Sequence, residues 1–247
     1  MSRKLEIEHH PHAIRERLLE RHRPRYLGDA VLGGIDGCVT TFAVVAGAVG
    51  GGFSTGVIVI LGFANLLADG FSMGVSNYLG TKSELQEIDE IRRRERLHIE
   101  QVPQGEREEI RQIFASKGFE GEVLDKIVEV ITSNHDLWIE TMLREEHGFG
   151  AGLRRPIAAG FATFLAFLVV GLIPLLPFLL PGLTGSQQFR SSAVITGLAF
   201  AGIGVVKGFV VKHAIIRSGL ETLLVGGIAA SLAYLVGAWL RNTYGAA

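Results

Sequence analysis

Long apolar runs alternate along this chain with one strongly charged segment. Residues 37–68 carry no charged side chain, nor do residues 70–81, and further uncharged runs cover 157–189, 191–206 and 222–240. A helix needs roughly 20 apolar residues to cross about 30 Å of hydrocarbon. The pattern predicts an all-α integral membrane protein with five transmembrane helices, near 30–51, 55–80, 157–180, 192–211 and 220–240. The first two are joined by Gly50-Gly51-Gly52-Phe53-Ser54.

The charged segment, 82–155, holds seventeen acidic and twelve basic residues and lies between helices two and three of that set. Its apolar spacing predicts four helices. The first continues from span two, 82 to about 100, and stops before Val102-Pro103. The second, 104–117, has Ile110, Ile113 and Phe114 on one face and Gly118 past its end. The third is 121–132, and the fourth runs from 136 to about 147, ending at Gly148. Ahead of the first span, Ile14, Leu18 and Leu19 predict a short amphipathic helix over 12–22, lying at the membrane surface and ended by Pro24. Pro174, Pro177 and Pro181 predict a kinked or shortened third span. The chain thus divides into a tail with an amphipathic helix (1–28), a first pair of spans (29–81), a soluble acidic helical insert (82–155) and three further spans (156–247).

Composition adds little to this frame. The 32 glycines suit close helix approach in a membrane. The one cysteine, Cys38, excludes an intrachain disulfide and suits apolar packing better than metal ligation. Residues 1–29 are charged and lack the apolar core of a cleavable signal. Charge placement says more. Of the 24 lysines and arginines, only Arg190 and Arg241 fall on the side opposite the tail and insert. The tail and insert are therefore expected in the cytoplasm and the C-terminus outside.

Candidate chemistry begins inside the apolar runs. Asp36 and Asp69 lie at membrane depth, where an ionisable group costs at least a few kcal/mol and marks a pathway. Asp29 precedes Asp36 by seven residues, two turns along the same face. On the second span Asn65, Asp69, Met73, Ser76 and Asn77 recur at close to four-residue steps, a polar stripe. Ordinary interhelical hydrogen bonding accounts for Asn65 and Ser76. It accounts poorly for the two aspartates.

In the insert, Glu95 and His98, Glu106 and Glu109, and Met142 and Glu145 are each three residues apart, so each pair shares a helix face. Oxygen, imidazole and thioether together suit Fe2+, Mn2+, Co2+ or Zn2+ better than Mg2+ or Ca2+. The same spacing also occurs on solvated acidic faces. His9-His10-Pro11-His12 is a looser cluster of the same kind. Phosphate-cradling and paired-cysteine motifs are absent, and no nucleic-acid partner is expected.

The run Asp29-Ala-Val-Leu-Gly-Gly-Ile-Asp36-Gly-Cys-Val-Thr-Thr-Phe-Ala-Val-Val-Ala-Gly47, then Asn65-Leu-Leu-Ala-Asp69-Gly-Phe-Ser-Met73, resembles the vacuolar iron transporter family. Residues 219–237 resemble its last span. The resemblance implies a homodimer that exports Fe2+ and related divalent metals from the cytoplasm in exchange for protons. The pathway would lie between the subunits and be lined by spans one and two. By position it assigns Asp36 and Met73 to the membrane site and Asp29 to the cytoplasmic mouth. It assigns Glu95, His98, Glu106, Glu109, Met142 and Glu145 to metal binding in the insert. Three positions depart from the family pattern: His98 replaces a Glu, Thr141 a Met, and Asn77 a Glu in many members.

These readings together make the chain a transporter rather than an enzyme. Divalent metal is its substrate and no tightly bound cofactor is expected. A prokaryotic plasma membrane is the expected location. The alternatives are a non-transporting metal sensor or scaffold, and an intramembrane aspartyl protease. The protease is disfavoured because Leu67-Ala68-Asp69-Gly70 is not the Gly-Leu-Gly-Asp such enzymes are expected to show.

Overall fold

A computed structural model describes residues 9–20, 26–150, 153–211 and 215–245; for 17–20, 206–211, 215, 216 and 218 it describes the backbone alone. Among the described residues all regular structure is helical. In chain order the helices are α1 (Pro11–Glu20), α2 (Leu27–Gly50), α3 (Thr55–Gln101), α4 (Pro103–Ser116), α5 (Gly121–Thr132) and α6 (His135–Glu145). There follow α7 (Pro156–Gly171), a 3-10 turn (Ile173–Leu175), and the short α8 (Leu176–Leu179). The last two are α9 (Gly185–Val211) and α10 (Ile215–Tyr244). The chain packs as two compact units, 1–25 with 80–155 and 26–79 with 156–247.

The unit formed by 80–155 has its own apolar core. Ile88 and Ile99 of α3, Ile110 of α4, Leu124, Val128 and Ile131 of α5, and Trp138, Ile139, Met142 and Leu143 of α6 are all buried in it. Leu124, Val128 and Ile131 on α5 and the pairs Trp138–Met142 and Ile139–Leu143 on α6 recur at steps of three and four, one apolar face per helix. Local chemistry sets the helix ends. Val102 adopts φ −134° and ψ 52°, outside the helical region, as expected before a proline. Pro103 then opens α4 at a position where no backbone N–H is needed. Asn134 caps α6 by accepting the Leu137 N–H at 3.1 Å. The expected helix over 12–22 is present as α1; the side chains of Leu18 and Leu19, and Pro24, lie outside the described residues.

In the other unit the helices approach to backbone contact. A methyl group added at Gly37 would sit 2.5 Å from the Phe167 carbonyl oxygen, and one at Gly33 would strike the Thr163 carbonyl. Glycine at these two positions lets α2 lie directly against α7. Gly50 and Gly237 serve the same purpose between α2 and α10. Among the described residues, four helices are long and apolar enough to cross a membrane: Leu27–Gly50, Thr55–Gln101, Pro156–Leu179 and Gly219–Tyr244. The remaining expected span falls on α9, whose last six side chains, including Lys207, lie outside the described residues, as does Lys212. The proline-rich third segment breaks where expected. Its α-helix ends at Gly171, and Pro174 sits in the 3-10 turn.

Candidate metal centre and membrane carboxylates

The sharp α3–α4 junction at Val102-Pro103 brings the last turns of α3 beside the first turn of α4. His98 Nδ1 lies 3.2 Å from Glu106 Oε1. The ligand atoms of Glu95, His98 and Glu106 all fall within 4.8 Å of one another. Glu95 is 2% exposed and Glu106 5%, which is unusual for acids. The Oε2 atom of each is buried without a hydrogen-bond partner. Such burial costs free energy unless a partner arrives, so the arrangement favours a cation. Removal from water pushes the Glu106 carboxyl up to about 7, aided by the charges of Glu109, Glu95 and Glu146 and opposed by His98.

Two further groups converge on Glu95 from beyond the end of α6. Gly148, at φ 74°, reverses the chain, and the Phe149 N–H returns to the Leu143 carbonyl at 2.9 Å. The turn places His147 Nε2 at 3.1 Å from Glu95 Oε1 and 3.5 Å from Glu146 Oε2. Glu95, Glu146 and His147 thus form a second cluster with ligand atoms within 4.8 Å. Partial burial raises the Glu146 carboxyl, against the pull of His147; Glu95 and Glu109 raise it further, and Arg94 lowers it.

The remaining expected ligands stand apart from these clusters. Glu109 is exposed, though near enough for its charge to act on Glu106. Met142 is wholly buried in the core of this unit. Glu145 is paired with Lys117. Thr141 donates to the Leu137 carbonyl at 2.6 Å. His9, His10 and His12 are exposed and enter no ligand cluster among the described residues.

In the membrane unit the acids have different surroundings. Asp29 is 4% exposed. Asn77 Nδ2 donates to Asp29 Oδ1 at 3.0 Å, to Thr163 Oγ1 at 2.7 Å and to the Ala159 carbonyl at 3.2 Å. Thr163 in turn donates to the Asp29 carbonyl at 3.2 Å. This network ties α2, α3 and α7 together. Asp36 is half-buried, and Asp69 is exposed on the single chain yet close enough for the two charges to act on each other. Asn65 and Met73 are half-buried. Cys38 is fully buried and unbonded, as a packing residue would be.

The expected stripe on the second span therefore turns around the helix. A four-residue step overshoots one turn by about 40°, so Asn77 is rotated by about 80° from Asp69. One faces α7 while the other is exposed. Residue spacing does not reveal Thr163, on the third expected span, or Glu146 and His147. A His next to an acid at a helix end marked by glycine was the available signal for the last two.

Comparison with known proteins extends this geometry. Vacuolar iron transporter from Centaurea cyanus is 30% identical over 224 residues, 88% of this chain and 91% of the relative. Vacuolar iron transporter 1 from Arabidopsis thaliana is 30% identical over 227 residues, 89% and 90% of the two chains. Vacuolar iron transporter from Toxoplasma gondii is 31% identical over 230 residues, 90% and 76%. These relatives are named for vacuoles of plants and an apicomplexan, and they lend no support to the expected prokaryotic plasma membrane. The sequence model of the VIT family matches residues 27–238, from the start of α2 to within α10, and the chain belongs to that family.

Proposed function

We propose that the chain exports divalent metal from the cytoplasm in exchange for protons, with Fe2+ as a substrate and Mn2+, Co2+ and Zn2+ as related ones. The observation that carries the reading is the pair of buried acids, Glu95 and Glu106, each holding a carboxylate oxygen without a partner. A fold gains nothing from such atoms, whereas a cation-collecting surface requires them. That the relatives are named iron transporters supports the choice of cargo.

In this reading five helices span the membrane, with the tail and insert cytoplasmic and the C-terminus outside. Glu95, His98 and Glu106 take metal from the cytoplasm, and Glu109 at the rim adds attractive charge. Asp36 and Met73 then hold the ion at mid-membrane, near Asp69 and Asn65. A carboxylate binds either a proton or a metal ion, so exchange at Asp36 couples the two fluxes. Asp69 is exposed on one chain at membrane depth. A second copy facing it would supply the polar surroundings that lipid cannot, which favours a homodimer with its pathway between subunits.

The test is uptake of Fe2+, Mn2+ and Zn2+ into proteoliposomes bearing a pH gradient. Uptake that scales with the gradient is expected. Absence of flux for every metal, with binding retained, would replace transport by metal sensing.

A further inference from the structure

We propose that the membrane unit holds one anionic phospholipid per chain, its phosphate on Arg241 and an acyl chain in a groove beside Phe42, Phe189 and Tyr234. Such a site uses none of the candidate metal-binding side chains and does not depend on metal export.

The end of α2 and the starts of α3 and α9 meet the end of α10 at this place. Thr55 Oγ1 donates to Gln188 Oε1 at 2.9 Å, which sets the start of α3 beside the start of α9. Arg241 lies against the α2–α3 loop: a methyl group added at Gly52 would sit 3.0 Å from its Cζ. Gly52 has φ 77°, so the turn calls for glycine and the missing side chain leaves room for the guanidinium. Trp239 and Tyr244 are exposed at the same end, as aromatic side chains are at a membrane interface. Charge there has one sign. Residues 37–68, 181–206 and 222–247 together hold two arginines, Arg190 and Arg241, and no acidic side chain. A guanidinium matches phosphate oxygens in geometry and charge, and lipid headgroups supply them at this depth.

Beneath Arg241 runs a groove of about 490 Å³. Phe42 of α2 stacks on Phe189 of α9 with ring centroids 6.2 Å apart, and Phe189 stacks on Tyr234 of α10 at 6.2 Å. Gly227, Ala230 and Ser231 of α10 complete the lining. Ser231 spends its hydroxyl proton on the Gly227 carbonyl at 2.7 Å, which leaves the groove apolar. Gly227, Tyr234 and Arg241 are spaced by seven, so they share one face of α10. Fourteen residues of helix rise about 21 Å. One leaflet, from headgroup to chain end, is about 20–22 Å deep. A phosphate at Arg241 therefore sends a chain past Tyr234 and ends it near Gly227. Arginine without acid favours a headgroup of net negative charge. A second copy in the groove would bring only more arginine to this end.

Delipidated full-length protein in detergent is mixed with dioleoylphosphatidylglycerol or dioleoylphosphatidylcholine, and bound lipid per chain is counted by native mass spectrometry. One phosphatidylglycerol per chain is expected, held more tightly than phosphatidylcholine. Arg241→Gln should weaken it at least ~10-fold. Gly227→Leu should weaken it too while Tm holds, because a Cβ at Gly227 meets nothing within 4 Å and the longer side chain fills the groove. Arg190→Gln removes an equal charge outside the groove lining and should weaken it less. Equal losses from the two arginine variants, with none from Gly227→Leu, would overturn the site in favour of a diffusely charged surface. Wild-type retention in both Arg241→Gln and Gly227→Leu, or no phosphatidylglycerol on the wild type, would also overturn it. A Gly227→Leu protein that changes oligomeric state and keeps its lipid would assign the groove to a second copy instead. Lipid is counted directly, so failure of this site and failure of metal export are read separately.

Discussion

Asp29 and Glu95 are both acids with almost no exposed surface, yet their surroundings differ. Asp29 accepts from the Asn77 amide, which also donates to Thr163 and to the Ala159 carbonyl. Glu95 faces two other acids, Glu106 and Glu146, and two histidines. The first arrangement ties α2, α3 and α7 together through an amide and a hydroxyl. The second gathers like charges that a folded chain would avoid, unless a cation joins them. Burial of a carboxylate does not by itself mark a site; the character of its partners does.

Three substitutions sharpen that contrast. The largest effect is expected where α2 meets α7. Gly33→Val drives a side chain into the Thr163 backbone beside the Asp29 network and should cost ~3 kcal/mol or more. Thermal unfolding in detergent would register it as a large fall in Tm, or as failure to recover folded protein.

Next comes Glu106→Gln, for which the account predicts opposite signs for binding and stability. The folded protein raises this carboxyl from 4.5 to about 7. A raised acid contributes stability fully present below its unfolded value of about 4.5 and lost as pH rises through about 7. Glutamine removes that loss. With a chelator at pH 8 the variant should therefore be more stable than wild type by on the order of 1–2 kcal/mol, with the gain vanishing near pH 4. Zn2+ affinity should fall at least ~10-fold. A variant less stable at pH 8 without metal would show that Glu106 supports the fold instead.

The smallest effect belongs to Asn77→Ala, which removes donors to Asp29, Thr163 and Ala159. A loss of about 1 kcal/mol in unfolding free energy is expected, with Zn2+ binding by the insert unchanged. A change in that binding would break the separation between the two regions.

The sequence makes much of this legible, for identifiable reasons. Apolar runs with glycines announce membrane helices, and the face containing Leu124, Val128 and Ile131 locates α5 at Gly121–Thr132 as the spacing predicts. Glu95, His98 and Glu106 come together because helix periodicity aligns the first two and Pro103 forces the chain to turn before the third. Met142 and Glu145 show where spacing stops being informative. Position on one face does not reveal that the core takes the first and Lys117 the second. Glu146 and His147 lie past the helix end, where the Gly148 turn decides their direction and no periodicity applies. The Asn77–Thr163 contact joins residues 86 apart and depends on packing between helices.

The most direct test of the central claim is gradient-driven Fe2+ uptake by Asp36→Ala in proteoliposomes, beside wild type. The account predicts that flux is abolished while the variant remains folded and its insert binds Zn2+ as before. Uptake at the wild-type rate would contradict it, because the proton and the metal would then have no need of the Asp36 carboxylate.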